Sequence, residues 1–349
     1  MTTPHSKKPR IAITLGDPAG IGPETVVGAW VDPSVHQFCQ PLVVGHPEIV
    51  RRAVQLLKLP LRVEEIDAPE NAHSTPNCIS CIRVGSDDVL ALPPGTVDAR
   101  GGQAAYDALV WAARAALGGQ IDGLTTAPLH KVALWKAGHK YPGHTELLAE
   151  LCGVSDFAMM LYLGPGADVR GPAGLAIVHV TLHMSLAQAL ATLSQDEILN
   201  KARLVSQVMS ALKGSLPRIG VCALNPHAGE EGLFGDEEST LIRPAVERGI
   251  AEGLNLVGPL PADTLIAQAR DGEFDGVVAM YHDQGHIAIK LLAMHKAVNV
   301  TLGLPIVRTS VAHGTAFDLA WQGRAETTGM VEALRVASRL AQSRRNDTR

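Results

Sequence analysis

Short apolar runs alternate with amphipathic stretches along nearly the whole chain, and that alternation restricts the fold more than any other feature. RIAITLG, PLVVGH, LRVEEI, CIRVG, GLAIVHVTLH, RIGVC and GVVAM are apolar runs bounded by turn-forming residues, and they predict buried strands. Between them, PEIVRRAVQLLK, GGQAAYDALVWAARAALGGQ, SQDEILNKARLVSQVMSALKG and the closing TTGMVEALRVASRLAQSRRN carry apolar residues at helical spacing. Strands that alternate with helices predict a mainly parallel α/β architecture. No period of ~20–50 residues recurs, so the chain is not a repeat protein. Its 349 residues suffice for one large core or two ordinary domains.

Three of the apolar runs deliver a histidine just beyond their carboxyl end. GLAIVHVTLH ends at His183, RIGVCALNPHAGE reaches His227 after an Asn-Pro turn, and VVAMYHDQG reaches His282. Open α/β sheets bind their ligands at the carboxyl ends of strands. Three neutral imidazoles converging there could hold one divalent ion and leave a coordination position open, as in catalytic sites. The plainer alternative is three buried histidines bonded to backbone. Lys290, Asn299 and Arg308 follow closely, two cations and an amide suited to a phosphate or carboxylate.

Other stretches are less decisive. GDPAGIGPE (16–24) lies between a strand and a helix, either as a tight turn or as a loop whose backbone approaches a ligand. In YPGHTE, His144 and Thr145 either open a helix or aim donors at an anion. Cys78 and Cys81 have metal or redox spacing but no partner pair. A net charge of −5 argues against a nucleic-acid partner. No apolar run approaches membrane-spanning length, and MTTPHSKKPR reads as a polar tail rather than a signal peptide. A cytoplasmic enzyme is the expectation, with 46% apolar and 19% charged residues suiting a well-buried core and an oligomer interface.

Taken in order, GDPAGIGPE, TAPLHK (126–131), GHTELLAE (143–150), VTLH (180–183), LNPHAGE (224–230), AMYHDQG (279–285), VNVTLGLPIVRTS (298–310) and HGTA (313–316) resemble the 4-hydroxythreonine-4-phosphate dehydrogenase family over nearly the whole chain. The resemblance implies two α/β/α domains of isocitrate/isopropylmalate dehydrogenase type with a cleft between them. We place the first at 1–130 plus 305–349, carrying the NAD loop. The second, at 131–304, would carry the metal ligands and the dimer interface. It implies a homodimer with a shared site, NAD, and a divalent metal, zinc first with magnesium, manganese or cobalt as alternatives. By position, His183, His227 and His282 become the metal ligands. His144, Thr145, Lys290, Asn299 and Arg308 become substrate-binding, and His313, Gly314, Thr315, Ala316 and Asp318 become cofactor-binding. Asp263 and Lys290 are the candidate proton carriers.

The implied reaction is NAD-dependent oxidation, with decarboxylation, of a 4-phosphorylated 3-hydroxy acid. YHDQGHIAIK, with His286, resembles the branch acting on D-threonate or D-erythronate 4-phosphate. The alternatives are a dehydrogenase of aromatic cis-dihydrodiol dicarboxylates and, from another class, a metal-dependent sugar-phosphate lyase or aldolase. Two positions depart from the family: Ala312 stands where Asp is usual, and Trp321 stands where glycine is usual.

Overall fold

The computed structural model describes residues 8–347. Residues 1–7, most of the stretch read as a polar tail, lie outside the described residues. The chain forms two compact units. One runs to Ser155 and resumes at Leu304; the other is Asp156–Gly303.

The first unit is built on β1 (Arg10–Thr14), β2 (Gln40–Gly45), β3 (Arg62–Ile66), β4 (Cys78–Arg83) and β5 (Gly123–Thr126). Helices α1 (Gly22–Trp30), α2 (Pro33–Phe38), α3 (Pro47–Leu56), α4 (Ala99–Leu117), α5 (Lys131–Lys136) and α6 (His144–Cys152) intervene. The second unit contributes β6 (Ala158–Leu163), β7 (Leu175–His179), α7 (Leu186–Thr192), α8 (Gln195–Lys213) and β8 (Ile219–Cys222). It continues with α9 (Arg243–Ala251), β9 (Leu256–Leu260), α10 (Ala262–Arg270), β10 (Gly276–Ala279), α11 (His282–Ala293) and β11 (Val298–Leu302). The chain then returns to the first unit for β12 (Arg308–Val311) and α12 (Thr328–Asp347).

In the first unit the strands lie in the order β3-β4-β2-β1-β5-β12, all parallel. Its central strands are apolar because both faces are covered: Ile11, Ile13, Leu42, Val43 and Leu124 have no exposed surface. Helices α4 and α12 each pack on β1 and β5. The second unit has the order β11-β6-β7-β10-β8-β9. Strands β7, β10, β8 and β9 run parallel, while β6 runs antiparallel to both β7 and β11. The α/β expectation therefore holds, with one reversed strand.

The expected domain boundary at residue 130 needs correction: residues 131–155 belong to the first unit. Helices α5 and α6 both pack on α4. At Gly102 of α4, a Cβ would lie 2.1 Å from the Ala133 carbonyl oxygen, so the glycine admits α5 into direct backbone contact. No helix among the described residues is long and apolar enough to cross a membrane.

The Cys78–Cys81 pair is structural. Both residues lie in β4 and are buried. Burial raises the Cys78 thiol, helped by Glu64, and pushes that of Cys81 up to about 12. Protonated thiols of this kind are poor nucleophiles and poor metal ligands.

Candidate active site

The three expected histidines stand beyond the carboxyl ends of β7, β8 and β10, three neighbouring parallel strands in the order β7-β10-β8. Helix α11 begins at His282 directly after β10, earlier than its HIAIKLL repeat suggests. Gln284 ties two of the strand ends together: its Oε1 accepts from the Met280 N–H (2.7 Å) and its Nε2 donates to the Ala223 carbonyl (2.8 Å). His183 and His282 line one open pocket of about 530 Å³ with Thr181 and Tyr281, and their ring centroids are 6.1 Å apart.

His227 sits on a different turn, edge-on to Phe234 at 6.0 Å. No group of three His, Cys, Asp or Glu side chains among the described residues is gathered closely enough to hold a metal. The donor chemistry nevertheless suits one. His282 Nδ1 is 2.6 Å from Asp283 Oδ1, and His227 Nδ1 is 3.0 Å from Glu230 Oε2. In each ring the carboxylate fixes Nδ1 and leaves Nε2 for a ligand, the arrangement by which carboxylates orient metal-binding histidines.

The His227 turn is held in an uncommon backbone state. His227, Ala228, Gly229, Glu230 and Glu231 all have positive φ, between 45° and 79°. For L-residues that geometry costs roughly 1–2 kcal/mol each, and only Gly229 escapes it. Glu238, 3% exposed, restrains the segment leading into the turn. Its Oε1 accepts from the Leu224 and Asn225 N–H groups (2.8 and 2.7 Å), and its Oε2 from Asn225 Nδ2 (3.0 Å). Burial alone would raise this carboxyl, but the donors of Asn225 and Leu224 outweigh it and keep it below the usual range.

Behind His282 lies a feature the sequence reading singled out only in part. His286, one turn along α11, stacks on His282 with centroids 3.7 Å apart and planes 11° from parallel. Its Nδ1 is 3.1 Å from Nε2 of His179, the last residue of β7. Both are buried, and burial, then neighbouring imidazoles, pushes His179 down to about 3 and His286 down to about 4. His179, Gln284 and Glu238 had no assigned role. For His179 the signal was present in HVTLH, a second histidine at the same strand end.

The remaining second-unit residues are more open. Lys290 is exposed on α11. Asp263 is exposed in the first turn of α10, its Oδ1 accepting from the Thr264 N–H (2.9 Å). Asn299 on β11 is half-buried, and its Oδ1 has no partner among the described residues.

The first unit brings the remaining candidates, His144, Thr145 and Arg308, into one compact body. His144 and Thr145 open α6 after Gly143, which gives no side-chain cap, so GHTE is a helix start, as one of its two readings expected. Arg308 is 2% exposed, and its Nη2 donates to Thr126 Oγ1 at 2.8 Å. Desolvation pushes its guanidinium down to about 10, against the pull of Glu146, so it stays cationic at neutral pH. Desolvation and then the Arg308 charge hold His144 well below the ordinary histidine range, leaving a neutral imidazole.

GDPAGIGPE is a tight turn, and the cradle alternative is not supported because its donors are occupied. The Asp17 N–H donates to Pro128 O (2.9 Å), Ala19 to Asp17 Oδ1 (3.0 Å), Gly20 to Asp17 O (3.0 Å) and Ile21 to Thr315 O (3.0 Å). The turn instead supports the loop that begins at His313. Glu24, fully buried, accepts from the N–H groups of Trp321 and Gly323, and Trp321 Nε1 donates to Pro18 O at 2.9 Å. Trp321 takes φ 61°, a conformation glycine adopts freely, and these bonds hold it there. In the loop, a Cβ on Gly314 would meet nothing within 4 Å, and His313 Nε2 is buried without a partner among the described residues. Open space beside an unsatisfied polar atom leaves room for a ligand at this loop.

The profile of the pyridoxal phosphate biosynthetic protein PdxA family matches residues 37–337. The chain is 42% identical to D-threonate 4-phosphate dehydrogenase of Pectobacterium atrosepticum, over 95% of this chain and 99% of that protein. It is 42% identical to 4-hydroxythreonine-4-phosphate dehydrogenase of Trichlorobacter lovleyi, over 99% and 100%. A crystal structure of 4-hydroxythreonine-4-phosphate dehydrogenase from Klebsiella pneumoniae superposes with a TM-score of 0.85 at 41% identity, covering 96% of this chain and 100% of that one.

Proposed function

This chain belongs to the pyridoxal phosphate biosynthetic protein PdxA family, and from that premise we propose that it oxidises a 4-phosphorylated 3-hydroxy acid with NAD and a divalent metal. The observation that carries the reading is the placement of His183, His227 and His282 beyond three neighbouring strand ends, in a chain similar over its full length to two phosphohydroxy-acid dehydrogenases. Within the family, D-threonate or D-erythronate 4-phosphate and 4-hydroxythreonine 4-phosphate are the substrate candidates.

In the second unit, His183, His227 and His282 would hold the ion, with Nε2 left available in His282 and His227 because Asp283 and Glu230 engage the opposite nitrogen. A zinc-like ion there would acidify the substrate hydroxyl and stabilise charge during oxidation and loss of CO2. Asn299, whose Oδ1 has no partner among the described residues, would meet a substrate hydroxyl. Lys290 supplies a cation, and Lys290 and Asp263 are the proton carriers, both exposed enough to exchange with water. In the first unit, Arg308, neutral His144 and Thr145 bind the phosphate through charge and directed hydrogen bonds. The loop carrying His313, Gly314, Thr315, Ala316 and Asp318 would hold NAD, which when bound would supply the hydride acceptor.

The functional form in this reading is a cytoplasmic homodimer sharing its sites. Supporting it, α11 presents Ile287 and Leu291 outward, with Leu291 82% exposed, and Met294 just beyond its end is exposed as well. A stripe at helical spacing beside the histidines is suited to burial against a second copy. Replacing His183, His227 or His282 with Ala is expected to abolish turnover and lower bound metal. Mixed dimers of His183→Ala and His282→Ala should regain activity if the ligands come from different subunits. Full metal content and activity in any single variant contradicts the metal assignment, and verified mixed dimers without activity contradict the shared site.

A further inference from the structure

We infer that His179 and His286 are positioning residues that fix the plane of the His282 ring, His286 by lying flat against it and His179 by tethering His286. The inference rests on the reading of His282 as a metal ligand. Three observations point to it. The His286 ring covers His282 nearly face to face, 3.7 Å between centroids at 11°. That ring is itself restrained by the 3.1 Å contact between His286 Nδ1 and His179 Nε2. The neighbouring residue makes room for the pair: a Cβ on Gly285 would lie 2.5 Å from His179 Nε2 and 2.6 Å from Ile177 Cγ2. Any side chain at 285 would push the His179 ring out of register with His286.

The arrangement has a chemical consequence. Asp283 holds one edge of the His282 ring through Nδ1, and a single hydrogen bond leaves the ring free to turn about that contact. A flat neighbour removes this freedom. Stacking of this kind keeps the two rings near parallel. Outer residues that orient a ligand typically change metal affinity by ~10–100-fold when lost. His179 lies farther from His282 (6.3 Å between centroids) than His286 does and acts chiefly through His286, so the two should be strongly coupled.

The test is titration of the metal-free, full-length protein with Co²⁺, reading the dissociation constant and the visible absorption spectrum, with no substrate present. His286→Leu and His179→Leu are each expected to weaken Co²⁺ by about tenfold or more and to alter the spectrum. The double variant should be no weaker than His286→Leu alone. His286→Phe, which keeps a flat ring but loses the tether, should fall between wild type and His286→Leu, and it carries the test if the leucine variant does not fold. His282→Ala serves as the control for the underlying reading. If His282→Ala loses Co²⁺ while the His286 and His179 variants bind within twofold of wild type with an unchanged spectrum, the positioning role is overturned and the metal assignment stands. If His282→Ala also binds normally, the metal assignment falls and takes the inference with it.

Discussion

At the scale of single residues, two buried charges with different partners make opposite predictions. Arg308 combines burial with a planar fork, one arm of which bonds Thr126. Lysine at 308 keeps the charge but loses the fork. Arg308→Lys should therefore lower kcat/KM for a 4-phosphorylated hydroxy acid by ~10-fold or more, about 1.4 kcal/mol for each tenfold, and leave the dephosphorylated acid almost unaffected. Equal losses on both acids would remove Arg308 from the phosphate. Asp17 is buried with Oδ2 unpartnered among the described residues; burial raises its carboxyl from 3.8 to about 6, against the Ala19 N–H. A carboxyl raised by folding binds its proton more tightly in the native state, so its contribution is most favourable below pH 3.8 and declines as pH rises to about 6. Asp17→Asn should lack that decline and gain on the order of 2–3 kcal/mol at pH 7 relative to pH 4. Urea unfolding of both proteins at the two pH values checks it; parallel pH profiles contradict it.

At the scale of elements, apolar runs marked β1, β2, β4, β7, β8 and β10 and where three histidines fall, because burial on both faces writes itself as an unbroken apolar run, whereas β6, β9, β11 and β12 were not read as strands. Direction leaves no such mark. AMMLYL of β6 is as apolar as its parallel neighbours, yet it runs antiparallel to β7 and β11. The five-residue left-handed turn at His227 was also hidden, since only Gly229 in LNPHAGE announces a positive φ. Its restraint, Glu238, lies eleven residues beyond His227 and could be connected to it only through space. Glu238→Ala strands the Leu224 and Asn225 N–H groups, each loss worth ~1–3 kcal/mol. We expect thermal stability to fall and kcat to fall further in the protein that remains folded, because His227 loses its mooring. A melt shift with kcat untouched would make Glu238 purely structural. The boundary at 130 was misplaced for a related reason: α5 and α6 carry site motifs, but their packing partner is α4.

At the scale of the whole molecule, the three histidines and Arg308 come from separate compact units, each legible as α/β from its alternation. The resemblance in motif order was confirmed over nearly the full chain. What remained illegible was pairwise: which carboxylate holds which imidazole, and that the Gly-rich turn supports the His313 loop through Glu24. The central claim is oxidation of a phosphorylated hydroxy acid, and NADH absorbance tests it most directly. The purified, metal-loaded enzyme should be offered NAD with D-threonate 4-phosphate, D-erythronate 4-phosphate, 4-hydroxythreonine 4-phosphate, their dephosphorylated forms, and an aromatic cis-dihydrodiol dicarboxylate. The account predicts NADH from at least one phosphorylated acid and little from its dephosphorylated form. Preference for the dihydrodiol, or cleavage of a phosphorylated acid without NADH, would contradict it.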